Sequence, residues 1–273
     1  MLSAPDFEYV TRLLLDTAAI RINHTQEYLV RSRLEPLAKE SGLRDLTALV
    51  EELRKHPFGE LHQRVVEAMT TNETSFFRDM HPFQTLKEVV IPEILRTKKD
   101  RTFRVWSAAC STGQEPYSLA MLLSEMTSLK DMRIYILGTD LSRSTLDKAE
   151  QGVYSPLEIG RGLPARALAA HFDRQGTSFR VKPQLRSMIE WRQMNLAGKW
   201  PYMSPFDVIF MRNVLIYFSP STSESILKQA RNQLQPNGAL FLGTTENTLG
   251  LNTGLESVTF GKTIYYRRAT GRP

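Results

Sequence analysis

From about residue 101 onward, short apolar runs alternate with stretches of helical spacing, and no other feature of this chain limits its fold as tightly. The runs lie at 103–109, 133–139, 206–211 and 239–243, and the helical stretches between them at 116–126, 142–150 and 222–234. Strands that alternate with helices predict an α/β domain, a doubly wound parallel sheet covered on both faces. Gln235, Pro236, Asn237 and Gly238 read as a stop and turn after the last of these helices. Residues 258–260 and 263–267 flank Gly261 and Lys262, which predicts a hairpin closing the sheet edge.

The first 70 residues follow another rule. Phe7, Val10, Leu13 and Leu14, then Leu29, Leu34 and Leu37, then Leu43, Leu46, Leu49, Val50 and Leu53 recur at spacings of three and four. Gly42, the 57–59 stretch and the polar run 70–74 interrupt them. We expect a small all-α domain over 1–70, an α/β domain over 71–273 with a linker at 71–100, and a β-rich insertion at about 155–190. In the insertion a helix at 165–172 precedes short antiparallel strands around Phe179–Val181 and 188–191.

With 273 residues, 41% hydrophobic and 23% charged, the composition is that of a globular chain. No apolar run is long enough to span a membrane, and the first residues lack a secretory pattern, so a cytoplasmic location is expected. One cysteine, Cys110, excludes an internal disulfide framework, and the five histidines show no metal-ligand spacing, so no metal is expected. The net charge of +6 is uneven: nine basic against twelve acidic residues up to Ser75, twenty-six against seventeen beyond it. Such an excess fits an anionic partner or merely a solvated surface.

Ligands of an open α/β sheet bind where strands end at their carboxyl edge. The first strand leaves through Cys110, Ser111, Thr112 and Gly113 into Glu115 and a helix, a small-residue loop suited to close approach by a ligand or to a plain turn. It is not a GxGxxG loop, which counts against a nicotinamide-dependent oxidoreductase. The second strand ends in Asp140, placed either to accept ribose hydroxyls or to cap a helix. The strand at 206–211 exits through Arg212 and Asn213 towards Tyr217, an aromatic that packing alone would also explain. Residues 71–78 join the domains and suit a ligand lid or a capped helix start.

Five ordered stretches now carry a resemblance: TTNETSFFRD at 71–80, RVWSAACSTGQEPYSLAM at 104–121, GTD at 138–140, FDVIFMRNVLIYF at 206–218 and NGALFLGTTEN at 237–247. Together they resemble the chemotaxis-receptor glutamate O-methyltransferases, the CheR family. The resemblance implies a helical N-terminal domain followed by a class I, Rossmann-like S-adenosylmethionine methyltransferase domain carrying a small β-subdomain. It implies cofactor contacts from Asn72, Thr74, Arg78 and Gly113, from Glu115 to the ammonium, Asp140 to the ribose, Asn195 and Leu196 to the adenine, and from Arg212 and Asn213. Tyr217 matches the active-site tyrosine, and the basic residue before the first strand is Arg96 or Lys98.

The reaction so implied moves a methyl group from S-adenosylmethionine to receptor glutamates, leaving S-adenosylhomocysteine and glutamyl methyl esters. Members recruited by a receptor's C-terminal pentapeptide have a longer β-subdomain loop than the short 172–179 stretch, so a pentapeptide-independent enzyme is expected. The partner would be the cytoplasmic helical domain of chemoreceptors, met at membrane receptor arrays by a monomer without membrane insertion. Arg31, Arg33 and Arg44, with the basic residues of the insertion, are the expected docking charges. The competing readings are a nucleic-acid methyltransferase, which the lack of a [DN]-P-P-[YF] motif after 206–211 disfavours, and a noncatalytic cofactor-sensing adaptor.

Overall fold

The computed structural model describes residues 2–269, so Met1 and residues 270–273 of the expected domain spans lie outside the described residues. The chain divides into two compact units, one holding residues up to Thr71 with Tyr217–Thr222, the other Asn72–Ile216 and the chain from Ser223.

In the first unit, Ser3 accepts the Asp6 N–H and starts α1 (Ala4–Ala18), which buries Phe7, Val10, Leu14 and Ala18. Then come α2 (Glu27–Glu40), α3 (Leu46–Lys55) and α4 (Glu60–Ala68). Asp45 caps α3 through the Ala48 N–H, and Leu46, Leu49, Val50 and Leu53 form its buried stripe. The buried His62 of α4 meets the Leu53 carbonyl at 3.0 Å and ties the two helices together. Arg33, expected on a docking surface, is used internally. It donates to the Met69 and Thr70 carbonyls and the Thr71 hydroxyl at 2.7–2.9 Å, satisfying acceptors where α4 ends.

The second unit begins with α5 (His81–Thr85), a π turn at Leu86–Val90 and α6 (Ile91–Leu95). The sheet elements follow as β1 (Thr102–Ala108), α7 (Gln114–Ser124), β2 (Arg133–Asp140) and α8 (Arg143–Gln151). Next are β3 (Val153–Tyr154), α9 (Pro156–Gly160), α10 (Ala165–His171), β4 (Phe172–Gln175), β5 (Ser178–Val181), α11 (Pro183–Arg186) and β6 (Ile189–Gln193). The chain continues through β7 (Phe206–Met211), α12 (Pro220–Gln233), β8 (Leu234–Leu242), β9 (Leu255–Phe260) and β10 (Thr263–Arg268). Seven strands form one sheet in the order β6-β2-β1-β7-β8-β10-β9. The first five are parallel, and the hairpin β9–β10 adds the antiparallel edge. β7 is buried at every position, as a central parallel strand flanked on both faces must be.

Two local readings change. The run 188–191, expected as an antiparallel strand of the insertion, instead leads into β6 of the main sheet (Ile189–Gln193), where Ile189 pairs in parallel with Ile136. The insertion's own sheet is small, β3-β5-β4. Gln235 to Gly238, expected to separate helix from strand, lie inside β8 as an irregularity, where the register slips between Phe206 and Val208. A Cβ on Gly238 would stand 3.0–3.1 Å from the Asp207, Gln235 and Phe206 carbonyl oxygens, so the bulge needs a glycine.

Candidate cofactor and active site

The loop after β1 is bent by three left-handed residues, Ala109 (φ 57°), Ser111 (φ 51°) and Gly113 (φ 93°). Its contacts explain the bend. The Cys110 N–H donates to the Thr139 carbonyl, and the Ser111 N–H donates to Asp140 Oδ2 at 2.8 Å. The Ser111 hydroxyl donates to the Asn72 carbonyl at 2.9 Å. Packing beneath the loop by itself calls for glycine at 113: a Cβ there would lie 2.8 Å from Ala149 Cβ and 3.0 Å from the Trp191 ring.

Asp140 sits at the tip of β2 and is not the cap of α8; Ser142 is, through the Thr145 N–H. The Asp140 carboxylate accepts from the Ser111 N–H on Oδ2 and the Ser142 N–H on Oδ1, with further hydrogen bonds from the Leu141 N–H and the Thr145 side chain. Burial pushes this carboxyl above the usual range, and backbone N–H donors, from Ser142 first, pull it back. The Met194 N–H donates to the Asp140 carbonyl at 2.8 Å, which carries Asn195 and Leu196 to the same edge. There Asn195 Oδ1 accepts the Ala197 N–H, and the Leu196 carbonyl accepts Trp200 Nε1–H.

Glu115, in the first turn of α7, accepts the Ser107 hydroxyl on Oε1 at 2.7 Å and Arg212 Nη1–H on Oε2 at 3.1 Å. Arg212 leaves β7 with its side chain only 1% exposed. Its Nη2 donates to Asp79 Oδ2 at 2.6 Å and to the Arg78 carbonyl at 3.1 Å. Arg212 therefore ties β7, the start of α7 and the 72–80 segment together. Its Nε is buried and finds no hydrogen-bond partner among the described residues.

The 72–80 segment is itself strained and held down, with positive φ at Phe77, Asp79 and Met80. Phe76 is fully buried, edge-on to Tyr154 at 5.0 Å and Phe172 at 5.7 Å, and the Phe77 N–H donates to the Ser118 hydroxyl. Thr74 and Arg78 are half-buried, and Arg78 Nη1 donates to the Glu73 carbonyl. Asn213 adopts φ 58° just after Arg212, and Tyr217 closes the 3-10 turn Leu215–Tyr217.

The structure places Lys98, with Arg96 two residues before it, at the other end of the sheet. Lys98 makes a 2.8 Å ion pair with Asp207, both side chains buried, at the start of β7. That is the amino edge of the sheet. Arg96 caps α6 just before Lys98. β1 has seven residues, so at about 3.3 Å per residue the carboxyl edge is roughly 20 Å away. Besides Arg212 itself, the fold ties Arg78 to this carboxyl edge, its carbonyl accepting from Arg212 Nη2.

Two contributors had no assigned role in the sequence reading. Asp79 is the second anion on Arg212. Glu246, in the loop after β8, accepts the Asn213 N–H at 2.7 Å. Both lie inside motifs quoted above, but only their partners reveal what they do. Among the described residues no cluster of His, Cys, Asp or Glu could hold a metal ion.

The donor set suits S-adenosylmethionine. A buried carboxylate at the sheet edge, Asp140, matches a ribose diol in chemistry, and Glu115 offers an anion for an ammonium. The orphaned Arg212 Nε lies buried at the same edge.

Comparison with known proteins points the same way. Residues 72–264 match the family model described as CheR methyltransferase, SAM binding domain, and residues 5–70 match CheR methyltransferase, all-alpha domain. The chain is 40% identical over 267 residues to chemotaxis protein methyltransferase Cher2 of Pseudomonas putida, covering 96% of this chain and 97% of that one. It is 41% identical to chemotaxis protein methyltransferase 1 of Pseudomonas aeruginosa, with the same coverage. A chemotaxis protein methyltransferase of Vibrio anguillarum is 37% identical over 270 residues, 97% of this chain and 98% of that one. The chain belongs to the CheR methyltransferase family and is an S-adenosylmethionine-dependent methyltransferase.

Proposed function

We propose that this enzyme methylates glutamate side chains on the cytoplasmic helical domain of chemoreceptors, forming glutamyl methyl esters, and that it works in the cytoplasm at receptor arrays as a monomer. The observation that carries this reading is the similarity over nearly the whole chain, both domains included, to proteins named as chemotaxis protein methyltransferases.

A glutamate of ordinary pKa, about 4.3, is already ionised at neutral pH, so no base is needed. Bound S-adenosylmethionine supplies an electrophilic methyl on sulfur. What remains for the protein is orientation, which well-aligned intramolecular models value at roughly 7–11 kcal/mol. Asp140 would hold the ribose, Glu115 the ammonium, and Asn195 with Leu196 the adenine. Asn72, Thr74, Gly113, Arg212 and Asn213 would complete the contacts. Arg78 and Tyr217 would orient the acceptor carboxylate; Arg78 takes the place first given to Arg96 or Lys98. Strong pairing with the acceptor would stabilise the ground state, which favours a half-buried arginine that is already partly engaged.

We further read the enzyme as independent of a receptor pentapeptide. β4 and β5 are joined by only Gly176 and Thr177, with Gly176 at φ 62°, which supports that reading. Arg31 and Arg44 remain the exposed N-terminal docking charges, although Arg31 is also paired with Glu35 and Arg44 with Asp45.

Transfer of a radiolabelled methyl group to a receptor cytoplasmic fragment, with release of the label by mild base, tests the main reading. Label appearing on RNA, on neither, or in a base-stable form overturns it. Saturable binding to an isolated receptor-tail peptide would overturn the pentapeptide reading alone.

A further inference from the structure

Glu246 has no part in the roles assigned so far, and its carboxylate is fully committed. Oε1 accepts the N–H groups of Leu215 at 2.6 Å and Ile216 at 3.3 Å. Oε2 accepts those of Asn213 and Gly243, both at 2.7 Å. A carboxylate has about four acceptor sites, and four backbone donors occupy them. The group is therefore neither a base nor a substrate contact.

What it holds is a strained turn. Asn213 keeps φ 58°, a conformation that costs a non-glycine residue on the order of 1–3 kcal/mol and persists only where its surroundings enforce it. Gly243 leaves no slack on the other side. A Cβ there would lie 2.7 Å from Glu246 Oε2 and 2.8 Å from Asn213 Nδ2, so the carboxylate, the glycine and the turn fit only together. Charge-assisted bonds to backbone N–H are strong, and three of the four lock consecutive parts of one turn.

We infer that Glu246 is a positioning residue: it fixes the turn from Asn213 to Ile216 and thereby presents Tyr217, the next residue in the chain. This inference rests on the reading of Tyr217 as the group that orients the acceptor. Glu246→Gln is the sharp probe, because the amide NH₂ must face one of the two pairs of N–H donors and breaks that half of the cage.

The test uses the full chain in four forms: unaltered, Glu246→Gln, Tyr217→Phe and the double variant. Three quantities are read: kcat on a receptor fragment at saturating cofactor, the Kd for S-adenosylmethionine by calorimetry, and amide hydrogen exchange at 213–216 in the cofactor-free protein. Glu246→Gln is expected to speed exchange at Asn213, Leu215 and Ile216 and to lower kcat by about tenfold to a hundredfold. The Kd should rise by a smaller factor than kcat falls, because only Asn213 of the proposed cofactor contacts lies on the loosened turn, whereas Asp140 and Glu115 are held by bonds that do not involve Glu246; a Kd that rises as much as kcat falls overturns the inference. Added to Tyr217→Phe, the glutamine should lower kcat no further. A normal kcat in Glu246→Gln, or a double variant whose loss is the product of the two single losses, overturns the inference and leaves the tyrosine reading standing. A normal kcat in Tyr217→Phe overturns the tyrosine reading and this inference with it. Should Glu246→Gln fail to fold, Glu246→Asp, which keeps the charge but shortens its reach, is judged by the same criteria.

Discussion

Arg212 at the exit of β7 meets Glu115 at the opening of α7, Nη1 to Oε2, at 3.1 Å across 97 residues of chain. The same guanidinium also binds Asp79, so one buried cation holds two anions and three segments in register. Replacing it by leucine strands Glu115 and Asp79. Arg212→Leu is expected to lose about 3–5 kcal/mol in urea unfolding. Arg212→Lys should lose less but still weaken S-adenosylmethionine binding, since an ammonium cannot reproduce the planar fork. Calorimetric titration checks the second part.

Lys98 gives the opposite pattern. Its partner Asp207 also accepts the Arg104 N–H at 2.8 Å, and burial pushes that carboxyl above its usual range against these two donors. Lys98→Met is expected to destabilise by about 3–5 kcal/mol through the stranded carboxylate, with kcat per folded molecule unchanged. A drop in kcat at full folding would return Lys98 to the active site.

Asp140 makes cofactor binding sensitive to pH. Its folded carboxyl titrates above the usual value because burial outweighs the N–H bonds from Ser142 and Ser111. Ribose hydroxyls need the ionised acceptor, so S-adenosylmethionine affinity should fall on acidification at a higher pH than an ordinary aspartate would give. In the cofactor-free protein the sign is reversed. A raised folded pKa contributes stability below the unfolded value of 3.8 that is lost as pH rises through the folded one. Asp140→Asn should weaken binding at neutral pH and flatten its pH dependence, as titrations between pH 5 and 8 would show.

Gly162 stands against the 72–80 segment. A Cβ there would lie 2.1 Å from the Phe76 carbonyl oxygen, and its own φ is 93°. Gly162→Ala must therefore push Phe76 away or twist its own backbone, at about 1–3 kcal/mol. Because Asn72 and Thr74 lie on the displaced segment, S-adenosylmethionine affinity should fall with stability. An unchanged Kd would separate the segment from the cofactor.

Much of this protein is legible in one dimension because the signals are local. The burial of residues 208–211 in β7 follows from their unbroken apolar run, and the stripe of α3 from its spacing of three and four. Asp140 and Glu115 were identifiable from the rule that sheet ligands meet the carboxyl edge. Pairing across the chain was not legible. The 188–191 run is as apolar as an insertion strand would be, and only its parallel register with β2 shows that it belongs to the main sheet. Lys98, Arg33 and Glu246 are charged residues whose neighbours in sequence say nothing of their use. Each acts through partners that folding brings together: Asp207, the end of α4, and the turn after β7. The sequence alone determined the two-domain plan and the edge where chemistry occurs, since periodicity and strand-exit residues are local. Only the tertiary structure decided that Lys98 lies at the opposite, amino edge, because a charge carries no address until a partner is folded against it.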